Sequence, residues 1–489
     1  MITRRRFLRS SAAATAAVGM PRLAASQVLG ANDQIIVGVL GLGTRGRRVH
    51  LRRMEEQPGV RVVAVCDVDR KRMATAAEQF EANYGRKVDQ YVDMRQMFDR
   101  KDIDVISNAT QNYWHGLSTI WACRAGKHVY CEKPLSHYIW EGRQMVKAAR
   151  KYDRIVQTGT QNRSHRQVIA AVKWIQDGHL GKINYITAFN NNVRGSVGRR
   201  DTPLPMPDYI DYDLWCGPAK KLPIYRNRLQ YDCHFDWNTG GGELANQGVH
   251  EVDAARWCLR EPGLPRGVMS IGGRFVVDDA GNVPNTLITY WDFPTAPVIY
   301  EHHDPALANG GTPTFRGLAK GMCVHCEGGY LTIDESPRKT GIAYDSQGRK
   351  MTSFRFSEGE EILDGSPAHF ENFIAAVRAG RPDLLRADVL EGHLSTTACN
   401  AGAISYRVGR QADQYEIRKQ VEQIPIFNEM FDRFLHYGRG LEIDLQSKSA
   451  TLGPWLEIDR ENECFKDHNE ANVLVRGCYR DPYTIPDPV

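Results

Sequence analysis

Three residues are the best placed to do chemistry. Lys133 sits in Glu132-Lys133-Pro134 after the run His128-Val-Tyr-Cys131. His250 follows Asn246 by four residues in Gly240-Gly-Gly-Glu-Leu-Ala-Asn246-Gln-Gly-Val-His250, a spacing that puts both on one face of a helix. Asp67 closes the apolar run Val60–Cys66. A histidine titrates near neutral pH and suits proton transfer, and a sheltered lysine suits steadying an alkoxide. That pair serves hydride transfer at a carbon bearing a hydroxyl. The carrier for the hydride is suggested by Gly41, Gly43, Thr44, Arg45 and Gly46, which follow the apolar run Gln34–Leu40 at once. Gly41 permits a tight turn, Gly43 a close approach to a pyrophosphate, and Gly46 the packing of helix on strand. Asp67 lies 21 residues beyond Gly46. There it would accept from a ribose 2′-hydroxyl and repel a 2′-phosphate, which favours NAD over NADP.

The elements that must position these residues alternate. Helices are expected from Gly46 to about Glu56, Arg70 to Tyr84, about His115 to Ala125 and Trp140 to Tyr152. Strands are expected at 104–109, 128–131 and 154–158. This spacing predicts an α/β fold whose first domain, residues 34–162, is a doubly wound parallel Rossmann sheet. Ligands of such sheets lie beyond the carboxyl ends of the strands, so Thr110, Asn112, His115, Glu132 and Lys133 belong beside the cofactor. From about Ser164 the pattern changes to strands in series at 183–191, 268–277, 285–293 and 298–302, which predicts a C-terminal α+β domain with a large, mostly antiparallel open sheet over residues 163–409.

The glycine loop, Asp67, Thr110-x-Asn112-x-x-His115 and Glu132-Lys133-Pro134 resemble the Gfo/Idh/MocA oxidoreductases, the relatives of glucose–fructose oxidoreductase and inositol dehydrogenase. The resemblance covers most of the chain beyond the N-terminal segment; Gln111 departs from it, where the family usually has proline. It implies NAD as cofactor, a sugar or sugar derivative as substrate, and a homo-oligomer formed through the outer face of the second sheet. It also implies Asp-x-x-x-His around residue 250, with the histidine facing the reacting hydroxyl. Here His250 matches and Asn246 stands in place of the aspartate, either orienting a partner or acting as a cap. Asp253, one turn further on, either supplies the missing carboxylate or points away. The catalytic set is therefore Lys133, His250 and Asn246. His234, Trp237 and Arg226 are candidates for substrate binding, and the proline-rich loop 202–223 for closing over the substrate.

The N-terminus narrows the setting. Thr3-Arg-Arg-Arg-Phe-Leu-Arg9, an Ala-rich run and small residues at 24–26 resemble a twin-arginine export signal over residues 1–30, the alternative being a basic amphipathic helix. It predicts a periplasmic or secreted protein, with no later run long enough to span a bilayer. The net charge of +5 comes wholly from the five arginines of the first 25 residues, so the remainder is neutral and shows no nucleic-acid footprint. Eleven cysteines are scattered without a framework, and Cys323-Val-His-Cys326 lacks a second pair for zinc, so no metal is expected. Without a recycling NADH pool outside the cytoplasm, an exported enzyme would carry its cofactor bound. Its net reaction would then be either paired oxidation and reduction or glycoside cleavage by oxidation, elimination and reduction. A sugar-binding protein with reduced catalysis is the non-enzymatic alternative. Residues 410–489 form an extension that either wraps a neighbouring subunit or lines the active site.

Overall fold

The chain is seen here as a computed structural model that describes residues 34–335, 340–355, 367–443 and 450–489. The export-signal expectation over residues 1–30 lies outside these residues. The first apolar runs become strands β1 (Ile35–Leu40), β2 (Val60–Cys66), β3 (Asp89–Tyr91), β4 (Val105–Asn108), β5 (His128–Cys131) and β6 (Val156–Thr158). They pair in parallel in the order β3-β2-β1-β4-β5-β6. The order reverses beside β1, so a crevice opens at the carboxyl ends of β1 and β4. The Arg70–Tyr84 helix starts where the Asp69 carboxylate accepts the N–H groups of Lys71 and Arg72, both at 3.1 Å, and stops at Gly85, with φ +69°. β3 and the short Met94–Phe98 helix were not expected, being too short to show a period.

The second sheet contains β7 (Ile183–Asn190), β8 (Gly267–Gly273), β9 (Thr286–Trp291), β10 (Val298–His303), β11 (Lys320–Cys326), β12 (Gly329–Asp334), β13 (Gly341–Asp345) and β14 (Lys350–Phe354), with β15 (Arg410–Ala412), β16 (Ala450–Leu452) and β17 (Leu456–Asp459) added from the tail. Its pairs are antiparallel apart from β7 with β10. β8 ends before its expected limit, because Val276 has φ +53° and is exposed. The inner face packs Ile186, Val298, Trp291 and Val324 against helices Val249–Leu259 and Val389–Arg407. Cys326 lies on that face, and strand alternation turns Cys323 to the other.

Among the described residues the tail does not line the site, and it packs on the rest of the chain. Helices Gln414–Val421 and Pro425–Gly440 lay Phe427, Met430, Phe431 and Phe434 on Met269, Ile271, Ile288, Tyr290 and Ile299 of the sheet's outer face. Each such side chain buried contributes about 1.5–3 kcal/mol. The outer face expected to serve an oligomer is therefore covered over β8–β10 by the chain itself. The last residues return to the first domain, where Tyr483 meets Trp114 edge-on at 5.5 Å, and Arg480 donates at 2.8 Å to Asp213 of the second domain.

Candidate active site

A cavity of about 750 Å³ opens along the carboxyl ends of the parallel strands and reaches into the second domain. Its near end is the glycine loop. Gly41 has φ +82°, and a Cβ there would lie 2.6 Å from the carbonyl oxygen of Ala109. Gly46 is tighter still, since a Cβ would fall 1.8 Å from the Gly41 carbonyl oxygen. Gly43 lines the cavity, and a Cβ there would meet only Arg72 Nη1, at 3.8 Å, so the backbone is bare towards the cavity. Gly46–His50 winds as a wide π-type turn before the regular Leu51–Glu55 helix. Thr44 and Arg45 line the cavity beside it.

Asp67 lies on the wall at the end of β2, accepting Leu42 N–H at 2.6 Å and Asp69 N–H at 2.8 Å. Burial pushes its carboxyl above the ordinary value, and the two backbone donors pull it back. The bare loop and the acid at the next strand's end fit a dinucleotide: pyrophosphate on Gly43 to Gly46, ribose on Asp67.

At the far end of the parallel sheet, Thr110, Asn112, His115, Glu132 and Lys133 all reach the cavity wall. Several are also tied to the chain itself. His115 places Nδ1 2.7 Å from the Pro134 carbonyl and Nε2 3.1 Å from that of Thr110, joining the two turns that flank Lys133. Glu132 accepts Arg45 Nε at 2.7 Å, Gln161 Nε2 at 3.0 Å and His50 Nε2 at 3.1 Å. Despite its burial, Arg45, His50 and Lys133 hold its carboxyl well below the usual range. Burial lowers the Lys133 ammonium from its ordinary pKa, opposed by Glu132, Glu243 and Glu251. Its Nζ donates to the backbone carbonyl of Asn246 and, at 3.3 Å, to Asn246 Oδ1.

Asn246 and His250 share the cavity, although by a different local geometry from a continuous helix. Leu244–Gly248 forms a second π-type turn ahead of the Val249–Leu259 helix. Such turns recur at functional sites because the extra residue per turn re-aims side chains. Gly248 makes room for it, since a Cβ would approach the Tyr300 ring to 2.8 Å.

The expected substrate residues divide. His234 is on the wall, its Nδ1 3.5 Å from Asn112 Nδ2, and burial lowers its pKa to about 4. Arg226 is not on it: it is buried and braces its own loop through the carbonyls of Arg228 and Leu229, each at 3.0 Å, and through Asp236. Trp237 packs against Tyr406 with Arg407 over its ring, away from the cavity. Asp253 faces the interior, bound by Arg163 at 2.8 and 3.0 Å and by Ser395. The loop 202–223 docks beyond β2, with Arg70 N–H on the Tyr209 carbonyl, and the cavity wall expected of it comes from residues 230–234. Asn162, His165, Tyr231, Gln247, Glu251, Lys320 and Glu335 also line the wall and are among the residues that reading along the chain missed. Tyr231 alone carries a local signature, a left-handed φ of +68°.

Comparison with known proteins agrees with this architecture. Residues 35–160 match the NAD-binding Rossmann fold of the oxidoreductase family GFO_IDH_MocA, and residues 166–270 match that family's C-terminal alpha/beta domain. The chain is 22% identical over 348 residues to myo-inositol 2-dehydrogenase of Thermotoga maritima, covering 71% of this chain and 89% of that protein. Inositol 2-dehydrogenase of Salmonella typhimurium is 31% identical over 179 residues, covering 36% of this chain and about half, 52%, of its own length. A solved levoglucosan dehydrogenase in complex with NADH and levoglucosan superposes with a TM-score of 0.57 at 18% identity, covering 75% of this chain and 96% of that one, a likeness of fold. Bearing both of its domains in series, the chain belongs to the Gfo/Idh/MocA oxidoreductase family, with NAD as its cofactor.

Proposed function

We propose that this chain is an exported oxidoreductase that transfers hydride at a hydroxyl-bearing carbon of a sugar or sugar derivative and keeps its NAD bound between turnovers. One observation carries the reading. Lys133 and His250 face the same cavity as the Asp67 and glycine-loop cradle, and the wall beyond them mixes donors and acceptors: Asn162, Gln247, Lys320 and Glu335. Such a wall suits a neutral polyhydroxy molecule. Bound NAD supplies the two-electron acceptor. His250 takes the proton of the reacting hydroxyl, and Lys133, held by the Asn246 carbonyl, steadies the oxygen as negative charge develops. Asp67 discriminates against a 2′-phosphate, so NADP is the poorer cofactor.

A second reading, redox-neutral cleavage of a glycoside, is favoured by the carboxylates Glu251 and Glu335 on the same wall. Purified protein mixed with a panel of sugars, cyclitols and glycosides, with absorbance of the reduced cofactor followed, separates these. Persistent reduction supports the dehydrogenase, and release of an aglycone without net reduction supports cleavage. Absence of both across the panel would leave a binding protein.

A further inference from the structure

Lys133 is the near end of a chain of polar groups that leads away from the cavity. Its Nζ donates to Asn246 Oδ1 at 3.3 Å, and Asn246 Nδ2 donates onward to Glu243 Oε1 at 3.1 Å. Glu243 is fully buried, receives Arg194 Nε on the same oxygen at 3.1 Å, and leaves Oε2 without a partner among the described residues. An amide held between a cation and an anion has one orientation. Turning it over would set its NH2 against the ammonium and its oxygen against the carboxylate. We propose that Glu243 is a positioning residue for the reaction: through Asn246 it fixes where the Lys133 ammonium points and helps keep it protonated.

The inference rests on the role proposed for Lys133, and the surroundings support it. Around Glu243 stand Arg194, Lys320, Asp304, His302, His234 and Tyr231, whose charges its own carboxylate affects. Burial and Glu243 push the Asp304 carboxyl well above its usual value. Around Lys133, Glu132, Glu243 and Glu251 favour the ammonium, while burial and Arg45 oppose it. Removing Glu243 therefore subtracts one of three anions acting on Lys133.

The test is the pH dependence of Lys133 acetylation by acetic anhydride, read by peptide mass on the purified full chain, which requires no substrate. In the native protein the midpoint lies below that of an ordinary lysine. In Glu243→Gln it falls by about one pH unit further. In the double variant Glu243→Gln with Asn246→Asp, which returns a carboxylate beside Nζ, it recovers to the native value or above. Glu243→Asp, which keeps the charge if the glutamine variant does not fold, falls in between. Arg194→Met, which removes a cation and keeps Glu243, does not lower it. An unchanged midpoint in Glu243→Gln, or no recovery in the double variant, overturns the proposal. A shifted midpoint in a protein that turns over nothing in the panel would refute the proposed function and leave standing only the hold of Glu243 on the Lys133 ammonium. An unshifted midpoint in an active enzyme would do the reverse.

Discussion

Replacing Lys133 or His250 by alanine should lower kcat about 10²–10⁴-fold while leaving the protein folded, as read by turnover and thermal melting. Neither side chain braces a core; both face the cavity. Because burial lowers the Lys133 pKa and the proposed role needs the ammonium, activity is present below that lowered value. It is lost as pH rises through it, earlier than an ordinary lysine would allow, and a rate profile reads this directly. Asp67→Ala frees the Leu42 N–H and removes the anion facing the ribose. It should weaken NAD binding about tenfold, or ~1.4 kcal/mol, and narrow the preference over NADP, as measured by titration of each cofactor. Residues bound to the glycine loop and strand ends were legible in the sequence because local spacing places them. Arg226 and Trp237 were misread because nearness along the chain to His234 says nothing of direction. Glu251, Lys320 and Glu335 come from a helix, β11 and a segment after β12 that only tertiary packing brings to one wall.

The helix Ile139–Lys151 carries Glu141 in its first turn, and this carboxylate accepts the N–H groups of His137 and Tyr138 and, at 3.2 Å, the Tyr479 hydroxyl. Burial nevertheless raises its pKa to about 7. The folded state thus holds a proton that the unfolded chain releases near its ordinary value of 4.5. The stability contributed by this group is fully present below that value and is lost between about pH 4.5 and pH 7, roughly 3 kcal/mol at most. Glu141→Gln should flatten that slope in melting experiments across this range. The π-type turn at Leu244–Gly248 is equally exposed to small changes. Gly248→Ala would press a methyl on Tyr300, costing about 1–3 kcal/mol and displacing Asn246 and His250, so melting temperature and turnover should fall together. Long helices and buried strands announced themselves through period and caps. A π-type turn leaves no period, so the four-residue spacing of Asn246 and His250 was right about the shared wall and silent about the backbone that creates it.

At the scale of the molecule, the two layers and their order followed from alternation in one half and strand series in the other. The tail did not, because its apolar face answers a sheet laid down far earlier in the chain. Truncation after residue 409 should expose Met269, Ile271, Ile288, Tyr290 and Ile299 and give insoluble protein, whereas the full chain remains dispersed. The homo-oligomer implied by the family resemblance is left the open part of that face over β11–β14, where Tyr330 stacks on Tyr344 and Met351 is exposed. Light scattering of Tyr344→Glu against the native protein checks it, a lower mass being the expected outcome. Arg4→Lys with Arg5→Lys should retain the protein in the cytoplasm, as read by fractionation. The cover over the outer face also sets a schedule. On the ribosome, Ile299 emerges more than 130 residues before Phe434, which at about 5–20 residues per second is roughly ten seconds of bare apolar sheet. A nascent chain of this design depends on shelter until its final eighty residues arrive, and it cannot be passed across a membrane piecemeal without prolonging that interval.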